Sequence, residues 1–230
     1  MVKVTSGQFE YQTITTSPGE AQTFLQDNVK LTPGVINTLF ADHTPDAISF
    51  KGCEFDEASS EALCQELARC MTVSSLSLEG TTGALNLTNV FNALVENLSV
   101  QRFYLPAQGD RLTKEDIGTL VESLIPYNRT IVEWNLADND TLGDEGLMQI
   151  TSALEKTASA QRISFRNTGG STAGIERLMQ VLKPLPCIIQ LDVSGNGASS
   201  SAILEELDQT LHHNLKLLHP TAEAVHQKLN

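Results

Sequence analysis

One apolar spacing recurs six times in this chain and limits it to very few architectures. The spacing is apolar-x-x-apolar-x-apolar-x-x-small-or-amide. The copies read Pro45-Ala47-Ile48-Phe50-Cys53, Val73-Leu76-Leu78-Thr81, Val100-Phe103-Leu105-Gln108, Ile131-Trp134-Leu136-Asn139, Ala160-Ile163-Phe165-Thr168 and Ile188-Leu191-Val193-Asn196. Their central apolar residues fall at 48, 76, 103, 134, 163 and 191, giving intervals of 28, 27, 31, 29 and 28 residues. A seventh, partial copy is expected at Leu215-x-x-Leu218, with Pro220 in the next apolar slot blocking further strand.

Between these strand signatures lies a helical pattern. Leu63/Leu67, Phe91/Leu94/Val95/Leu98, Ile117/Leu120/Val121/Leu124, Leu147/Ile150/Leu154, Ile175/Leu178/Leu182 and Ile203/Leu204/Leu207/Leu211 recur at helix spacing, which places each set on one helix face. Thr113–Asp116 and Ser17–Glu20 have the spacing of capping boxes, the second with Pro18 at the first helical position. The spacing therefore predicts one strand and one helix per repeat, flanked by an extended piece near Phe9–Tyr11 and helices over Pro18–Val29 and Pro33–Phe40.

The segment Asn128-Arg-Thr-Ile-Val-Glu-Trp-Asn-Leu-Ala-Asp-Asn139, followed by Leu142-Gly-Asp-Glu-Gly146, resembles the ribonuclease-inhibitor-like leucine-rich-repeat family. Its repeats are similar to those of ribonuclease inhibitor, Ran GTPase-activating protein, tropomodulin and the nucleotide-sensing innate immune receptors. The likeness runs from about residue 45 to 220. It implies an α/β solenoid of about six repeats plus caps, with curved parallel strands on the concave face and helices on the convex one. The expected organisation is a cap or helical segment over 1–44, repeats over 45–219 and a capping helix over 220–230. The chain departs from the pattern at the strand-end amide, which is Asn only at Asn139 and Asn196. Cys53, Thr81, Gln108 and Thr168 stand in its place and retain hydrogen-bonding capacity, Cys weakly.

Charge narrows the range of partners. With 15 basic and 28 acidic residues the formal net charge is -13, which repels phosphate backbones and anionic lipid, so neither nucleic acid nor membrane is expected as a partner. No run of 18 apolar residues occurs and Met1–Tyr11 lacks a signal-peptide core, so a cytoplasmic location is expected, in a host cytosol if the chain is a secreted effector. Cys53, Cys64, Cys70 and Cys187 form no CxxC pair and read as free thiols. The sequons at Asn86, Asn97, Asn128 and Asn139 read as accidents of composition. His212, His213, His219 and His226 crowd the C-terminus without a metal-ligand pattern. Nor is there a GxSxG, P-loop or GxGxxG motif. No cofactor or metal is expected, and Trp134 reads as a core residue because it fills the slot of Leu76, Phe103, Ile163 and Leu191.

The side chains between the core positions of each strand point to solvent on the concave side. Three of the seven arginines fall there, Arg102, Arg162 and Arg166, with Tyr104 among them. Arg and Tyr are the types enriched in interface hot spots. The expected partner-binding residues are Arg102, Tyr104, Glu133, Asn135, Arg162, Ser164 and Arg166. The functional expectation is a non-enzymatic, monomeric interaction module, an adaptor or a pathogen effector, binding a protein with an acidic surface. The family resemblance supplies an alternative, a GTPase-activating protein of the Ran GTPase-activating type, although no motif here carries those active residues across.

Overall fold

The computed structural model describes residues 2–6, 9–17, 20–25, 29–41, 46–157, 159–197 and 201–218, with side chains from residue 29 onward except 41, 201–204 and 218. The repeats dominate it. Strands β4 (Ala47–Ser49), β6 (Ser75–Ser77), β8 (Arg102–Tyr104), β9 (Glu133–Asn135), β10 (Arg162–Ser164) and β11 (Gln190–Asp192) lie side by side in parallel. The short strands β5 (Glu54–Phe55) and β7 (Thr82–Gly83) pair separately, where the chain leaves the first two repeat strands. Ile48, Leu76, Phe103, Trp134, Ile163 and Leu191 pair in one continuous row, so the sequence period is also the sheet register. Each strand begins one residue before its central apolar residue. The third apolar residue of each of the first five copies has left the ladder, although its N–H still reaches the next strand, as from Phe50 to Ser77 O (2.9 Å) and Phe165 to Asp192 O (2.7 Å).

Each strand returns through a helix: α2 (Glu57–Arg69), α3 (Leu87–Glu96), α4 (Lys114–Thr119), α6 (Gly143–Leu154), α7 (Thr172–Leu182) and α8 (Ser201–Leu218). Their apolar faces and the strand interiors form one buried cluster, in which Leu63, Phe91, Leu120, Leu147 and Leu178 are fully buried. Phe103 packs edge-on against Phe91 and Trp134, with ring centroids 6.2 Å apart in both pairs. The longest repeat, of 31 residues, absorbs its extra length in a π-helical turn over Leu120–Leu124 and the single turn α5 (Ile125–Tyr127). Pro126 has no N–H, and its ring would crowd the carbonyl four residues earlier; the wider turn precedes it. The Thr113–Asp116 capping box closes in both directions, at 3.2 and 3.0 Å.

The strand-end residues link successive repeats. Asn139 Nδ2 donates to Leu105 O and Leu136 O, while its Oδ1 accepts from Gln108 N at 2.8 Å. Asn196 does the same around Phe165 and Thr168. Gln108 Nε2 reaches Leu78 O at 2.6 Å, and Thr81 donates to Gln108 Oε1. Cys53 Sγ reaches Lys51 O at 3.8 Å. The residue before each of these slots has positive φ: Gly52, Gly80, Ala107, Asp138, Asn167 and Gly195, at 51–73°. A second stack ties the turns that lead from helix to strand. Asn97 Nδ2 donates to Leu67 O and Cys70 O, Asn128 Nδ2 to Leu94 O and Asn97 O, and Asn214 Nδ2 to Leu185 O and Ile188 O. The sequon asparagines Asn97, Asn128 and Asn139 are therefore buried and hydrogen-bonded, and Asn86 caps α3.

Three expectations need correction. First, within the helix expected over Pro18–Val29, Glu20–Leu25 is strand. β2 (Phe9–Ser17) pairs antiparallel with β1 (Val2–Ser6) and with β3 (Glu20–Leu25), and β3 continues the sheet beside β4. Ser17 pairs with Glu20, so the spacing taken for a capping box is that of a hairpin. Pro-Gly is as strong a turn signal as it is a helix start, and the flanking Thr- and Phe-bearing segments favour strand. The helix α1 (Pro33–Ala41) does form. Second, the partial seventh copy at Leu215–Leu218 is the last turn of α8, with Leu215 and Leu217 exposed. Third, Leu98 leaves the helical face: it follows the C-cap Asn97 and is exposed. The proposed C-terminal cap over 220–230, with His219 and His226, lies outside the described residues.

Candidate functional site

Strand pairing brings most of the expected residues together in two rows. Arg102, Glu133 and Arg162 are direct neighbours in one, and Tyr104, Asn135 and Ser164 in the other. All six are half-buried, standing on a ladder whose alternate residues are locked in the core. Arg166 lies two residues past Ser164, on the exposed loop leaving β10.

The contacts differ from residue to residue. The Tyr104 hydroxyl donates to Glu133 Oε1 at 2.7 Å. Burial, then this carboxylate, pushes the tyrosine's ionisation well above the usual phenol range, and nearby Arg102 and Arg162 only partly oppose the shift. Arg102 Nη2 donates to Ser74 Oγ at 3.2 Å. Asn135 Oδ1 accepts from Ala137 N at 3.0 Å, turning its side chain back onto its own strand end. Ser164 Oγ makes a long contact to Asp192 Oδ2 at 3.5 Å. Arg166 forms an ion pair with Asp138 at 2.6 Å. Asp138 also accepts from Asn167 Nδ2 at 2.7 Å; this bond, then the Arg166 guanidinium, holds its carboxyl below the usual carboxylate range despite some desolvation. Lys51 pairs with Glu79 at 2.7 Å. Arg162 forms no hydrogen bond or ion pair with any described side chain.

The arginines are thus not equivalent. Arg166, like Lys51, already has a carboxylate, whereas Arg102 and Arg162 flank Glu133 without an ion pair among the described residues. Together with Asp46, Ser74, Gln101 and Val132 these three residues line a polar depression of about 570 Å³ on the side of the sheet where the helix-to-strand turns arrive. The sequence reading missed this edge. It also missed the exposure of Met71, Leu98 and Tyr127, which are 69%, 65% and 68% exposed. Met71 and Leu98 each follow a cap residue, Cys70 and Asn97, and the repeat alignment would have put both in one slot.

Among the described residues no three His, Cys, Asp or Glu side chains converge as a metal set, and no helix is long and apolar enough to cross a membrane. His212 and His213 are exposed on α8. All four cysteines are free; burial pushes the Cys64 thiol up to about 11 and raises that of Cys187.

Comparison with known proteins finds similarity to leucine-rich-repeat proteins. Residues 127–150 match the family model described as Leucine Rich repeat. NACHT, LRR and PYD domains-containing protein 5 of Bos taurus is 23% identical over 173 residues, 75% of this chain and 16% of that protein. Protein TORNADO 1 of Arabidopsis thaliana is 24% identical over 123 residues, 53% of this chain and 9% of that protein. The chain therefore spans less than a fifth of the length of these curated relatives. Among solved structures, leiomodin-1 actin-binding site 2 superposes with a TM-score of 0.50 at 17% identity, covering 63% of this chain and 80% of that one. The matches support a leucine-rich repeat family, and the structural likeness bears out the fold class of parallel strands with flanking helices.

Proposed function

We propose that the chain is a non-enzymatic protein-interaction module of the ribonuclease-inhibitor-like type, binding its partner on the concave face through Arg102, Tyr104, Glu133, Asn135, Arg162, Ser164 and Arg166. The observation that carries this reading is the row Arg102–Glu133–Arg162. It sets two arginines without ion pairs among the described residues on either side of a carboxylate already engaged by Tyr104. Such side chains on a rigid ladder lose little freedom on binding, and the guanidinium groups favour a partner with exposed carboxylates. A monomeric adaptor in a cytoplasm fits four free thiols and a strongly acidic surface. Residues 1–44 act as a cap on the first repeat in this reading, extending the sheet through β3.

Parallel affinity capture from lysate tests it, with wild type, Tyr104→Ala, Arg162→Ala and the helix-side control Glu122→Ala as baits. A partner retained by wild type and Glu122→Ala but lost on both concave variants is the expected result. A partner held equally by all four baits refutes the concave face as the binding surface.

A further inference from the structure

We infer that the partner is held at the edge of the concave face, by a segment that presents carboxylates to Arg102 and Arg162 and apolar side chains to Met71 and Leu98. The inference rests on the concave-face reading and narrows it to one edge and one partner chemistry.

Of the five exposed large hydrophobic residues of the described chain, Met71 and Leu98 lie on the turns that lead from helix to strand in two successive repeats, and Tyr127 ends the helix before the next such turn. Met71 and Leu98 share one slot. Each sits three residues before a residue that lines the depression, Ser74 and Gln101 respectively, and Gln101 N bonds Ser74 O at 2.8 Å. Neighbouring strands are about 4.8 Å apart, so the two residues occupy equivalent positions on adjacent repeats, each one turn upstream of the depression's lining. These turns are not loose. Asn97 and Asn128 fix them through buried bonds to Leu67, Cys70, Leu94 and Asn97 carbonyls. Exposed apolar residues at equivalent positions on fixed backbone, a few residues upstream of a polar depression, have the form of a docking surface.

The depression's formal charges balance, Asp46 and Glu133 against Arg102 and Arg162, so the pairing of the individual arginines, not net charge, points to the occupant. Lys51 and Arg166 have carboxylate partners within the protein. Arg102 and Arg162 have none among the described residues, and one oxygen of the intervening Glu133 accepts from Tyr104. An incoming carboxylate therefore adds a partner to each guanidinium instead of displacing one. Arg102 and Arg162 stand two strands apart, about 10 Å. An acidic side chain repeats on one face of an extended segment every ~6.7 Å, and flexible arginine stems take up the difference. The fitting segment is extended, with two acids two residues apart and a Leu, Met or Phe beside them.

A phage-displayed random-peptide library panned on the full chain tests this. Enriched sequences are expected to combine Asp or Glu with large apolar residues. A synthetic copy should bind at least about tenfold more weakly to Arg162→Ala and to Leu98→Ser, with equal melting temperatures showing that both variants fold. In the amide spectrum, shifts should cluster at Met71–Ser74 and Leu98–Arg102. Enriched sequences without acids, or no enrichment over an Arg162→Glu/Leu98→Asp double variant, overturn the inference. If the peptide is lost on Asn135→Ala and Ser164→Ala but kept on the edge variants, the edge is wrong and the concave reading survives. If none of the four substitutions matters, both fall.

Discussion

Tyr104 and Glu133 are joined across neighbouring strands, the phenol hydroxyl donating to Glu133 Oε1 at 2.7 Å between two arginines. Burial and the adjacent carboxylate both disfavour the phenolate, so the folded state holds the proton more tightly than the unfolded chain does. By linkage, the stability from this shift is fully present below the unfolded tyrosine value of about 10 and is lost as pH rises through the raised folded value. The difference in ultraviolet titration between wild type and Tyr104→Phe should show an ionisation above the ordinary phenol range. Glu133→Gln should move it down. A Tyr104 that ionises with model tyrosine would show that the bond is absent.

The left-handed slot before each strand-end residue separates backbone from packing. Gly80 has φ 57°, and a Cβ added there would meet nothing within 4 Å, so Gly80→Ala carries only the backbone cost, about 1 kcal/mol. Ala107 occupies the same conformation at φ 56°. Ala107→Gly should therefore stabilise by up to about 1 kcal/mol, or roughly 2–4 °C in Tm. Gly195→Ala should cost more than Gly80→Ala, because its Cβ would collide with Asn167 Oδ1. Thermal melts of the three variants give the ranking, and an Ala107→Gly melt below wild type would contradict it.

Asn139 should be the most sensitive of the strand-end residues. Its amide donates to Leu105 and Leu136 carbonyls and accepts from Gln108 N, all buried. Asn139→Ala leaves these groups without partners, at about 1–3 kcal/mol for each buried group left unsatisfied. Cys53→Ala removes a thiol whose contact with Lys51 O, at 3.8 Å, is a weak sulfur hydrogen bond, and a small volume. Urea denaturation should therefore place Asn139→Ala well below Cys53→Ala; equal midpoints would mean that the amide does not link the repeats.

The repeats were legible because a side chain at a fixed offset repeats its surroundings every 27–31 residues, which is why the markers from Ile48 to Leu191 pair in one row. The ends were less legible. Ser17-Pro-Gly-Glu20 fits a helix start and a hairpin equally well, and the sheet edge at β4 decides for the strand. Leu98 has helical spacing from Phe91, Leu94 and Val95, but the cap at Asn97 ends the helix first. In the candidate face the rows were legible and the pairing was not. Arg166 and Asp138 are 28 residues apart, one repeat, yet Asp138 sits in the left-handed turn outside the strand positions that were read.

Trp134 supplies the last test, of the core itself. Its ring is 2% exposed and packs edge-on against Phe103, yet its Nε1 has no hydrogen-bond partner among the described residues. The ring's burial and the unsatisfied N–H therefore act in opposite directions. Trp134→Ala removes the ring and leaves a cavity, at about 3–5 kcal/mol. Trp134→Phe keeps most of the apolar contact and removes a buried donor whose desolvation costs about 1–3 kcal/mol, which offsets part of the lost volume. The phenylalanine variant should thus melt close to wild type and the alanine variant far below. Denaturant midpoints for both variants check this. If Phe proves as damaging as Ala, the indole N–H has a partner and its burial is not a cost.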